Sequence, residues 1–120
     1  MTLPAVASYY VEEADLVPEA KNAVAKLLGI LQILPNLNVR IEGYTDAVAS
    51  GDYNMYISRA RAQAVHEYLR ELGYDESKMV FHGYGPQHPV ASNDNHQGRV
   101  KNQRVEIVLS TGPILGPDGK

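Results

Sequence analysis

The sequence predicts a two-layer α/β (α+β) sandwich of order β-α-β-α-β-loop-β, a mixed sheet covered by two main helices. Three observations carry that prediction. Residues 18–34 and 52–72 repeat apolar side chains with a helical period. Residues 39–44, 79–84 and 103–110 have the alternation or apolar composition of strands. The strand–helix–strand unit from Val39 to Tyr84 is long enough for a right-handed crossover, so its two strands should pair in parallel.

The elements follow in order. Residues 5–11 (AVASYYV) have strand composition and give way to the charges of Glu12, Glu13 and Asp15. Pro18 suits the first position of a helix, and Glu19 suits its positive end. Ala20, Ala23, Val24, Leu27, Leu28, Leu31 and Leu34 form the core-facing stripe, which Pro35 and Asn36 end. In the second strand Val39, Ile41 and Gly43 alternate with Arg40, Glu42 and Tyr44. Residues 47–51 are small and polar, a loop. The second helix runs from 52 to 72, with Gly73 as its C-terminal cap. The third strand is 79–84. Residues 85–102 show no periodicity and read as a long loop, a length more often functional than not. The last strand, 103–110, turns Val105, Ile107 and Leu109 to one face and Arg104, Glu106 and Val108 to the other.

The 120 residues suffice for one domain, placed at 1–112, with a Gly- and Pro-rich flexible tail at 113–120. A net charge of −3 without a basic run argues against nucleic acid. Cysteine is absent, which removes disulfide and thiolate chemistry. No apolar run reaches the ~18 residues of a membrane span, and Met1–Pro4 lacks the pattern of a signal peptide. The chain is therefore expected to be cytoplasmic or a domain of a longer exported protein.

One residue breaks the pattern. The buried stripe of the second helix should comprise Ile57, Arg61, Val65, Tyr68 or Leu69, and Leu72, so a cation stands among apolar neighbours. A buried cation needs a partner. Asp46, just past the second strand, is the natural one. The pair reads either as a structural bridge or as a shallow site that holds a small zwitterion, and pattern alone leaves both open. Arg59 should point to solvent.

Other chemistry finds little support. His66-Glu67 lacks a second histidine one turn on. His88, His96 and Asp94 share the long loop but read as solvated side chains, and His82 alternates within a strand. No Gly-x-Ser-x-Gly elbow occurs. Gly83-Tyr84-Gly85 lacks the third glycine of a dinucleotide site. The eight tyrosines look scattered. No catalytic residue, metal or cofactor is expected.

Several separated motifs nevertheless match a known family in order and spacing. They are Val39–Asp46, Tyr53-Asn54-x3-Ser58-x-Ala60-Arg61-Ala62-x2-Val65, Gly83-Tyr84-Gly85-x3-Pro89-Val90-Ala91-x-Asn93, and Gly98-Arg99-x2-Asn102-x-Arg104–Ile107. Over about residues 9–109 the chain resembles the OmpA-like C-terminal domain. The resemblance implies non-catalytic binding of peptidoglycan through the diaminopimelate of its stem peptide. Such binding anchors an outer-membrane protein, a lipoprotein of the Pal type or a flagellar stator of the MotB type in the periplasm of a Gram-negative bacterium. It assigns Asp46 and Arg61 to the ligand and adds Thr45 and Asn54 to the pocket. It implies no membrane insertion by this domain, and a homodimer lies within the family's range. Two positions depart from the family. Tyr44 stands where His is common. Gln103 stands where the family usually reads the first Arg of Asn-Arg-Arg, so Gln103 is left outside the expected site. That departure also sustains an alternative: a scaffold that has lost its ligand and works through protein contacts.

Overall fold

A computed structural model describes residues 1–9, 14–34 and 36–113. Four strands form one mixed sheet: β1 (Thr2–Pro4), β2 (Asn38–Tyr44), β3 (Met79–Gly83) and β4 (Arg104–Ser110), in the order β1-β4-β2-β3. β2 and β3 pair in parallel, as the crossover requires, and β4 runs antiparallel to β1 and β2. The helices are α1 (Ala5–Ser8), α2 (Pro18–Ile33), α3 (Gly51–Glu71) and α4 (His96–Asn102).

The core lies between the sheet and the two long helices. Leu3, Val39, Ile41, Met79, Val105 and Ile107 of the strands meet Val24, Leu27, Leu28 and Leu31 of α2 and Ala62, Val65 and Leu69 of α3. The stripe read from sequence for α2 is buried except at its end, where Leu34 is exposed just past the last turn. Pro18 takes the first helical position and Glu19 lies in the first turn. Gly73 adopts φ +102°. Its N–H bonds to the Arg70 carbonyl and that of Tyr74 to the Leu69 carbonyl, the Schellman pattern. Leu72, placed in the α3 stripe, is half exposed because the helix has already ended.

Two expectations are corrected. Residues 5–9 are not a strand: Ala5–Ser8 make one helical turn, closed by Tyr9 N–H to the Ala5 carbonyl at 3.1 Å. Tyr9 then makes a lone bridge to Leu16. Residues 10 and 11 of that segment, like Pro35 and 114–120 of the tail, lie outside the described residues. The edge position is taken instead by Thr2–Pro4, and Pro4 has no N–H with which to extend it. The long loop is also not wholly irregular, since α4 occupies its last part, capped by the Asn95 side chain accepting from Gly98 N–H at 2.7 Å.

A pair of glycines sets how closely α3 crosses the sheet. Gly43 and Gly83 are register partners on β2 and β3. A Cβ on Gly43 would lie 1.9 Å from the Ser58 carbonyl oxygen, and one on Gly83 2.4 Å from the Arg59 nitrogen. Only glycine admits that approach. It brings Arg61, one turn beyond Ser58, down beside the end of β2.

Candidate functional site

The site is assembled from the end of β2, the following loop, one face of α3 and the start of β4. Beyond Tyr44 the chain turns. Asp46 Oδ1 accepts from Val48 N–H at 3.0 Å, a local turn typical of aspartate. Ser50 caps α3 by accepting from Tyr53 N–H at 3.2 Å. Asn54 sits one turn in. Its Nδ2 donates to the Ala49 carbonyl at 3.1 Å and ties the loop to the helix. Arg61 follows two turns later on the same face.

Asp46, Val48, Tyr53, Asn54, Arg61 and Gln103 line a cleft of about 210 Å³. Arg61 is buried. Burial holds its guanidinium below its usual pKa, opposed by Tyr9, Tyr53 and Asp46. Tyr9 supports it from behind: the Tyr9 hydroxyl donates to the Arg61 carbonyl at 2.6 Å, and its ring lies 5.6 Å from the guanidinium carbon.

Between the acid and the arginine stands Gln103, which sequence reasoning left out. Arg61 Nη1 donates to Gln103 Oε1 at 2.5 Å, and Gln103 Nε2 donates to Asp46 Oδ2 at 3.0 Å. The signal that finds Gln103 is strand pairing. Tyr44 is the register partner of Arg104, so the residue before Arg104 must lie beside the chain leaving β2. Asn102 fixes that approach. It is fully buried, accepts from Val90 and Ala91 N–H, and donates to the Ala91 carbonyl and Asn93. Thr45 stands differently from its companions. It is buried, and its hydroxyl donates to the Asp46 carbonyl at 2.8 Å.

The other side of the sheet carries a second polar cluster. Arg40 Nε bonds Glu42 at 2.6 Å, Tyr44 donates to Glu42 at 3.0 Å, and Arg104 Nε bonds Glu106 at 3.1 Å. Arg104 lies 4.0 Å from the Tyr44 ring centre. Tyr44 stacks on Tyr84 at 5.5 Å, and the His88 ring is set edge-on to both. These tyrosines are thus not scattered in space. Arg59 is exposed as expected and lies over the Phe81 ring. A larger depression of about 450 Å³ lies between the start of α2 and the second half of α3. It holds Lys21 over the Tyr68 ring beside the Glu67 and Glu71 carboxylates, and among the described residues that line it no charged side chain is buried. Size therefore does not mark the site; the desolvated arginine facing a carboxylate does. Among the described residues no group of three His, Cys, Asp or Glu side chains is gathered for a metal, and no helix is long and apolar enough to cross a membrane.

The fold is an α+β sandwich shared with solved structures of MotB-like proteins and of a cell wall anchor. A MotB-like protein from Desulfovibrio vulgaris superposes with a TM-score of 0.84 at 26% identity, over 93% of this chain and 72% of that one. The cell wall anchor of the type VI secretion system from Pseudomonas aeruginosa superposes at 0.77 and 27% identity, over 88% and 76%. The OmpA family model matches residues 8–103, and the chain belongs to the OmpA family. It is similar to the probable lipoprotein YiaD of Escherichia coli, 34% identical over 110 residues, 92% of this chain and 50% of that protein. It is 36% identical over 97 residues to the peptidoglycan-binding protein ArfA of Mycobacterium tuberculosis, 81% of this chain and 30% of ArfA. The chain spans half or less of the length of these two relatives.

Proposed function

We propose that this domain binds peptidoglycan without cleaving it, through the diaminopimelate of the stem peptide, and so anchors a cell-envelope protein in the periplasm. The observation that carries the reading is a buried arginine and a carboxylate on the wall of one small cleft, joined by a neutral amide. The free end of diaminopimelate bears an ammonium and a carboxylate on one carbon. Asp46 accepts from the ammonium, and the planar Arg61 guanidinium meets the carboxylate with parallel N–H groups. Asn54 shapes the wall by holding the loop. Thr45 contributes by fixing the backbone of Asp46 rather than by touching the ligand. The family membership and the wall-binding relative support the same reading. The test is sedimentation with purified sacculi. The domain should co-sediment and leave the sacculi intact, Asp46→Ala should stay in the supernatant while folded, and free diaminopimelic acid should compete. Equal sedimentation of the wild type and Asp46→Ala would sink the proposal.

A further inference from the structure

We propose that Gln103 is a built-in competitor that occupies the ligand's place in the free domain and must be displaced for binding. This rests on the reading of the cleft as a site for an amino-acid end. The side chain presents the two complementary groups such an end presents. Its carboxamide oxygen takes the guanidinium of Arg61 as a ligand carboxylate would, at 2.5 Å. Its carboxamide nitrogen donates to Asp46 as a ligand ammonium would, at 3.0 Å. One residue thus holds the acid and the arginine in register without a ligand.

Two consequences follow from the chemistry. An amide carries no net charge, so both its bonds are weaker than those from an ammonium or to a carboxylate. A zwitterion that replaces both bonds together therefore gains. A ligand with an amine alone or a carboxylate alone displaces the amide from both partners yet replaces only one of its two bonds. Gln103 thereby turns the cleft into a selector for a carbon bearing both groups. Its own mobility is limited to the side chain, because its backbone is held on both sides: its N–H donates to the Arg99 carbonyl and its carbonyl accepts from Ala5 N–H.

The test titrates diaminopimelic acid, with cadaverine as the amine-only probe, into the wild type, Gln103→Ala and Gln103→Met by calorimetry. Gln103→Met keeps the length of the side chain and removes both bonds, and thermal melts establish that each variant is folded. Removing the competitor should tighten diaminopimelic acid binding by about tenfold in both variants and narrow the preference over cadaverine. In the wild type, the Gln103 carboxamide resonances should shift on saturation and exchange their hydrogens faster. Equal or weaker affinity in the folded variants overturns the competitor role while leaving the site reading intact. Binding by neither the wild type nor either variant overturns both.

Discussion

Two acid–arginine arrangements lie back to back on this sheet, and they differ in what stands between the charges. On the face away from α3, each carboxylate meets a guanidinium directly: Arg40 with Glu42 at 2.6 Å, Arg104 with Glu106 at 3.1 Å. Those contacts answer a structural need. Glu42 and Glu106 are register partners on adjacent strands, and like charges placed opposite one another repel. The arginines and the Tyr44 hydroxyl close that cluster. On the other side, Asp46 and Arg61 are linked through a neutral carboxamide at the wall of a cleft. The first cluster joins its opposite charges directly. The second has a carboxamide bonded to both its charges. The same residue types thus pair directly in one place and through an amide in the other, a contrast that fits the proposed site.

Perturbations should separate the two regions. The largest effect should come from Gly43, which underlies both. Gly43→Ala drives a methyl group into the Ser58 carbonyl, and chemical denaturation should show a loss of about 3 kcal/mol or more, or no folded protein. Next is the brace. Glu42→Ala removes the carboxylate that Arg40 and the Tyr44 hydroxyl both meet and should cost about 2 kcal/mol in the same measurement. Asp46→Ala should change stability by under about 1 kcal/mol, because its partners there are an exposed turn and a neutral amide, while it abolishes sacculus binding. A comparable stability loss from both acids would erase the distinction between brace and site. Arg61→Lys keeps the charge but loses the planar fork and should weaken binding by about tenfold with the fold intact.

The smallest effect is alkaline. Burial raises the pKa of Tyr44, and the neighbouring Glu42 and Glu106 carboxylates raise it further. Burial also raises that of Tyr9. A group whose pKa is higher when folded stabilises the fold below its unfolded value and loses that contribution as pH rises beyond it. Stability should therefore fall above about pH 10. Tyr44→Phe costs a hydrogen bond of about 1 kcal/mol at neutral pH and should flatten that alkaline decline, read from melts at stepped pH.

Long periodic segments were legible in the sequence because burial of one face imposes its period on many residues. α2, α3, β2 and β4 all obeyed this, and Arg61 stood out because it violated it. Short elements were not. Thr2–Pro4 is too short to show a period. The strand composition of 5–11 came from Tyr9-Tyr10-Val11, whereas Ala5–Ser8 make a helical turn that carries Tyr9 inward to the Arg61 carbonyl. The seven residues of α4 contain a glycine, Gly98, whose place is set by close packing on the Ser92 carbonyl rather than by helix propensity.

The sequence by itself determined the layered architecture, the parallel crossover, and an arginine that must find a negative or polar partner, because hydrophobic period and the cost of a buried charge are local and additive enough to read along a chain. Only the tertiary structure decided what stands beside that arginine. Gln103 lies 42 residues away and reaches the cleft through the antiparallel pairing of β4 with β2. Thr45, adjacent to Asp46, is buried and gives its hydroxyl to the Asp46 carbonyl. Distance in the chain hid Gln103, since the cleft is made where strand register and a glycine-permitted helix crossing bring separate segments together.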